Sequence, residues 1–158
     1  MSSNGSRSLD RIIRTVRSLM RSHGLPRPDR LLISTVSGSV HIEFSSGTAP
    51  DRVAGLLLWV TRLDGVTLTW TLRPDRTLTV AATGRNRAGL SFGLAASATV
   101  RDLGGSAADA GGPVVLGGEF RLAPMVVEPV TFEEVARLVH LGRAVARRRA
   151  IASGVVAA

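Results

Sequence analysis

The sequence predicts an α+β domain, an antiparallel meandering sheet of about five to six strands flanked by helices in the order α-β-β-α-β-β-β-β-α. Three observations predict it. Residues 8–23 repeat apolar side chains at helical spacing, residues 66–100 alternate apolar and polar side chains with a period of two, and residues 130–135 carry a helix-start signature. The length of 158 residues, 44% of them hydrophobic, suits one domain with a single buried core. The expected organisation is a disordered basic, Ser-rich tail over residues 1–7, one domain over 8–149, and a second disordered tail over 150–158.

The first helix is expected over residues 8–23, with Asp10 in its first turn, where a negative charge suits the positive end of the helix dipole. Arg7, Arg11, Arg14, Arg17 and Arg21 fall within about 120° of arc at 100° per residue. Leu9, Ile12, Ile13, Val16, Leu19 and Met20 fill a similar arc opposite. Gly24, Pro26 and Pro28 stop the helix.

Leu31–Val36 and Val40–Ser45 read as two strands about a Ser37-Gly38 turn, or as one long strand bulged at Gly38. Thr48 with Asp51 opens a helix that runs to about Leu63. Its stripe of Val53, Leu56, Leu57, Val60 and Leu63 is widened by Ala54, Leu58 and Trp59, so it needs a cover on two sides: the sheet and a terminal helix, or another subunit.

Next comes the clearest hairpin. Val66, Leu68, Trp70 and Leu72 alternate with threonines, Arg73-Pro74-Asp75-Arg76 turns the chain, and Leu78, Val80 and Ala82 continue the core face. A third long strand is expected over Leu90–Val100, a flexible loop over Arg101–Pro113, and one more strand over Val114–Leu122, bulged at Gly117 and Gly118. The last helix, over residues 131–149, opens on a capping box of Thr131 with Glu134 and a staple of Val130 with Val135. Phe132, Val135, Leu138 and Val139 begin its buried stripe. This order of elements is similar to that of the roadblock and longin group of small α+β domains, in which an antiparallel sheet is flanked by helices. The likeness is of element order, and no activity is carried over from it.

All twenty basic residues other than histidine are arginine, and the chain lacks lysine, glutamine, tyrosine and cysteine. That bias is expected of a high-GC bacterial genome, and it accounts for arginine in place of lysine. It does not account for a net charge of +8, nor for five arginines on one helical face. Without cysteine, disulfides, thiolate metal sites, iron–sulfur clusters and a cysteine nucleophile are excluded. No apolar run reaches the roughly 20 residues of a membrane span and no signal-peptide core is present, so a cytoplasmic protein is expected.

No catalytic signature stands out. His23, His41 and His140 lie on separate elements with no metal-ligand spacing, and neither a Walker A loop nor a GxSxG elbow occurs. His41 and Glu43 share a strand face, which fits a solvated surface better than a base with its orienting carboxylate. Neither a metal nor a cofactor is expected. The expected function is therefore a non-catalytic basic domain that contacts a polyanion, foremost the backbone of duplex nucleic acid. The expected contacts are the five helix arginines, then Arg85 and Arg87 in the glycine-bounded loop 84–89, and Arg147, Arg148 and Arg149 near the C-terminus. The alternative is a homo-oligomeric assembly or adaptor subunit, or one with an acidic protein partner. It would dock through Leu9, Ile12, Ile13, Val16, Leu19 and Met20 of the first helix and Leu58 and Trp59 of the second. Laying the first helix on an anionic membrane is a third reading.

Overall fold

The computed structural model describes residues 3–107 and 112–154. Among the described residues the chain is an α+β fold with three helices and two sheets. In order, the elements are α1 (Ser3–His23), β1 (Arg30–Ser34), β2 (Ser39–Phe44), α2 (Ala49–Val60), β3 (Asp64–Leu72), β4 (Thr77–Arg85) and β5 (Ser91–Thr99). A 3-10 turn (Arg101–Leu103), β6 (Gly105–Ala107), β7 (Val114–Leu116), β8 (Phe120–Leu122), β9 (Val127–Pro129) and α3 (Phe132–Ala152) complete the chain.

The main sheet has six strands in the order β1-β2-β5-β4-β3-β9, and β6-β7-β8 form a small second sheet. The main sheet is mixed, which corrects the expectation of a purely antiparallel meander: β2 and β5 run parallel, with Ile42 opposite Leu94. The cause is the crossover. From β2 the chain passes through α2 to β3, and the antiparallel returns β3-β4-β5 then bring β5 alongside β2 in the same direction.

Alternation decides the faces. Val40, Ile42 and Phe44 of β2, Leu68, Trp70 and Leu72 of β3, Leu78, Val80 and Ala82 of β4, and Phe92, Leu94, Ala96 and Ala98 of β5 are all buried on the helix-bearing side. The other side carries threonine, serine, alanine and glycine with partial exposure, and Thr79 and Ser97 share a hydroxyl hydrogen bond of 3.1 Å. α2 is capped by the Thr48 hydroxyl, which accepts from the Asp51 N–H. The helix approaches the sheet closely where Gly55 faces Phe44: a Cβ there would stand 3.2 Å from the ring. Its second cover is α3, whose Val135, Leu138, Val139 and Gly142 are buried. The two covers are thus the sheet and a terminal helix, both from this chain. The capping box forms as expected, Glu134 N–H donating to the Thr131 hydroxyl and Thr131 N–H to the Glu134 carboxylate.

Other expectations are corrected. Ser3–Arg7, expected in the tail, is the start of α1, so Asp10 lies beyond the first turn. Residues 1 and 2 of that tail, and 155–158 of the C-terminal one, lie outside the described residues. Ala150, Ile151 and Ala152 belong to α3. Of the two readings of residues 31–45, the two strands about the Ser37-Gly38 turn form, and the single bulged strand does not. Val114–Leu122 is two strands, because Gly117 and Gly118 adopt left-handed φ values of 57° and 73° and turn the chain back. The loop expected over 101–113 contains the 3-10 turn and β6, and its residues 108–111 lie outside those described. β9 was not expected: it is only three residues long, includes a proline, and pairs with β3 at the sheet edge, where the missing N–H is tolerated.

Candidate anion-binding face

α1 is fixed to the domain by its apolar stripe. Ile12 and Val16 are 2% and 3% exposed, and Leu19 and Met20 pack against the same core. Gly24 takes a left-handed φ of 58° and lets the chain leave the helix, while Leu25 turns into the core and its N–H donates to the Met20 carbonyl at 3.1 Å. A second tether comes from α2, where the buried Trp59 indole N–H donates to the Pro26 carbonyl at 2.9 Å. With the stripe facing inward, the helix period turns Arg7, Arg11, Arg14, Arg17 and Arg21 outward, and all five are exposed. From Arg7 to Arg21 the stripe spans about 21 Å of helix axis.

Among the described residues none of these five arginines forms an ion pair, and Asp10 on the same helix pairs with none of them. The pairs that do form are Arg30 with Glu43, Arg137 with Glu119, Arg143 with Asp51 and Arg149 with Asp102. Glu43, Glu119, Asp51 and Asp102 are thus paired away from α1, whose five arginines are offset on their own helix by Asp10 alone.

Beside α1 runs a polar groove of about 640 Å³, bounded by Arg14, Ser18 and His23 of α1, by Thr61 and Arg62 just past α2, and by Asn86 and Arg87 of the β4–β5 loop. The loop is rigidly built. Asn86 is buried and its side-chain oxygen accepts the Leu90 N–H at 2.9 Å, while its backbone N–H donates to Leu90 O at 3.1 Å. Gly89 at φ 83° closes the turn. This places Arg87 on the same groove as Arg14 and adds Arg62, which sequence reasoning missed. Arg62 follows the apolar run of α2 as a lone basic residue, and nothing local in the sequence marks it as a neighbour of Arg14 and Arg87. Asp64 also lines the groove and is its single carboxylate among the described residues.

The remaining expected contacts are placed elsewhere. Arg85 sits at the end of β4 on the threonine side of the sheet, in a concavity with His41, Ser91 and Gly93. Arg147, Arg148 and Arg149 are exposed at the end of α3, and Arg149 is tied to the 3-10 turn that follows β5. The Arg87 loop precedes the other end of β5, so nine residues of strand, about 30 Å, separate the two patches. They do not form one surface with α1. His41 stacks over Gly93, where a Cβ would stand 2.7 Å from Nδ1, and Glu43 pairs with Arg30.

The expected interface residues divide similarly. Ile12, Val16 and Trp59 are consumed by the chain's own core, Leu19 and Met20 pack on it, and Ile13 is half-buried. Leu9 at 38% and Leu58 at 51% are exposed. Most of the α1 seam is thus turned into the domain's own core, while Ile13 and Met20 stay partly exposed along the side that faces β1. No described helix is long and apolar enough to cross a membrane. Among the described residues no three His, Asp or Glu side chains are grouped to hold a metal ion. Comparison with known protein families, curated proteins and solved structures gives no match.

Proposed function

We propose that this chain is a non-catalytic domain that binds a polyanion, the backbone of duplex nucleic acid, through α1. The observation that carries the reading is the solvent-facing row of five arginines without a carboxylate partner among the described residues, set on a helix whose opposite side is anchored in the core. A rigidly held row of guanidiniums meets successive phosphates without first losing intramolecular partners, and each fork can bind two phosphate oxygens. Arg62 and Arg87 widen the positive surface on one flank. Binding of this kind is mostly independent of sequence, since phosphates carry no base information.

The test is a titration of the full chain with fluorescent duplex DNA over a series of salt concentrations, beside a variant with all five α1 arginines changed to glutamine. The five α1 contacts by themselves contribute roughly −4 to −5 to the slope of log K against log salt, to which Arg62 and Arg87 add. The variant is expected to lose both the affinity and most of the slope. No binding by the unaltered chain at low salt would overturn the reading.

A second reading, an adaptor for another protein, is supported by a different surface. Leu31, Leu32 and Val36 of the β1–β2 hairpin are 37%, 50% and 99% exposed at the edge of the main sheet. Native mass spectrometry of the purified chain, followed by the same measurement on Leu32→Asp, reports whether that edge holds a partner.

A further inference from the structure

β1 ends the main sheet, and its outer edge pairs with no described strand. Natural edges of this kind are usually blunted by proline, a bulge or charged side chains. β1 has no proline and no bulge, its register with β2 is continuous over five residues, and its one charged residue, Arg30, stands at its first position 3.9 Å from Glu43. The register also sets the faces. Leu31 and Ile33 stand opposite Ile42 and Val40 on the helix side, and Leu32 stands opposite His41 on the other.

On the helix side, the edge opens into a cavity of about 580 Å³ between β1 and α1. Ile13, Val16 and Met20 form one wall and Leu31 and Ile33 the other. Arg17 and Arg27 line it as well, and Asp29 is its sole carboxylate among the described residues. Asp29 is already committed: it accepts the Ser45 N–H at 2.7 Å, the Ser46 N–H at 2.9 Å and the Ser46 hydroxyl. What remains is an apolar floor, a row of unpaired strand groups and a cationic rim.

We propose that the free edge of β1, with the groove between it and α1, binds an extended acidic segment of a partner protein as a seventh strand. Strand addition supplies the backbone hydrogen bonds. Alternate apolar side chains of the segment enter the groove against Leu31 and Ile33, and its carboxylates meet Arg17 and Arg27. Charge selects this occupant over a second copy of the chain. Edge-to-edge self-pairing would bring a second arginine-striped α1 beside the first, on a protein of net charge +8.

The experiment uses the full chain and a fluorescein-labelled peptide of sequence Glu-Val-Asp-Ile-Glu-Val-Asp, read by anisotropy, beside the same peptide with lysine at every acidic position. The acidic peptide is expected to bind about tenfold or more tightly than the lysine peptide. Leu31→Asn, which removes an apolar contact of the groove and adds no charge beside the shared Arg17, should weaken peptide binding about tenfold or more while leaving the circular dichroism and the duplex affinity unchanged. The double variant Arg17→Glu with Arg27→Glu should reverse the preference to the lysine peptide, a swap that damage to the fold would not produce. Equal binding of the two peptides, or a preference unchanged in the double variant, overturns the proposal. So does a sedimentation result in which the chain is a dimer that Leu31→Asn dissociates, because the edge would then belong to a second copy.

Discussion

Arg149 near the end of α3 donates to the Asp102 carboxylate at 2.9 Å and, through its other terminal nitrogen, to the Arg101 carbonyl at 2.9 Å. The pair joins α3 to the turn that ends β5. A side-chain hydrogen bond from Thr99, and after it the bond and charge of Arg149, hold the Asp102 carboxyl below its ordinary acidity range. The α1 arginines have no such ties. Arg149→Gln is therefore expected to cost about 0.5–1 kcal/mol in urea unfolding, the modest value of a half-exposed pair. Changing any one of the α1 arginines to glutamine should shift stability by no more than about 0.5 kcal/mol. A larger loss in such an α1 variant than in Arg149→Gln would mean that the stripe serves the fold.

Arg62 and Arg87 share a groove with Arg14, while Arg149 lies some 30 Å away along β5. Arg62→Gln and Arg87→Gln should each weaken duplex binding and reduce the magnitude of its salt slope by about 1. Arg149→Gln should leave the slope within error of the unaltered chain. Salt-dependent anisotropy with the same duplex checks all three. Equal effects of all three substitutions would indicate a diffuse charge effect and no localised face.

Much of this was legible in the sequence because it rests on local patterns. The period-two alternation of β3 and β4, the arginine row of α1 and the Thr131–Glu134 capping box all survive intact, since each depends on residues within a few positions of one another. Adjacency of distant elements was not legible. Nothing in Val40–Phe44 or Phe92–Ala96 marks the two strands as parallel neighbours, because that pairing is decided by the path of α2. The same holds for the site. Arg87 and Arg14 were each identifiable, but their meeting, the addition of Arg62 and the remoteness of Arg147–Arg149 follow from how α1 and α3 pack. Gly117 and Gly118 were read as a bulge where they make a turn, since a glycine pair permits either.

Asp29 provides a pH test of the hairpin that borders the proposed peptide groove. Hydrogen bonds from the Ser46 hydroxyl and from the Ser46 and Ser45 N–H groups lower its pKa from 3.8 to about 2. A carboxylate with a depressed folded pKa adds stability that is complete above its unfolded pKa and disappears as pH falls through the folded one. Stability should therefore decline between about pH 4 and 2, and Asp29→Asn should remove part of that decline while retaining the part due to Asp102. Urea unfolding at half-unit intervals from pH 5 to 2 measures the difference. Identical pH profiles for the two proteins would show that Ser45 and Ser46 do not hold the carboxylate in solution.

Trp59 couples the core to the position of α1. Its ring is wholly buried, 6.3 Å from the Phe92 centroid, and its indole N–H bonds the carbonyl of Pro26 in the segment that follows α1. Phenylalanine at this position cannot donate and leaves both a void and an acceptor without its partner, so Trp59→Phe should cost about 2–4 kcal/mol. The loss should be directional. With the tether gone, α1 opens more often than the sheet does, and trypsin, which cleaves after arginine, should cut within the stripe well before it cuts β3, β4 or β5. Leu58→Ala, one residue away but half-exposed, is the control and should alter neither stability nor cleavage appreciably. If Trp59→Phe destabilises the chain yet leaves the order of tryptic cuts unchanged, α1 is held by Ile12 and Val16 alone, and the arginine stripe keeps its orientation without help from α2.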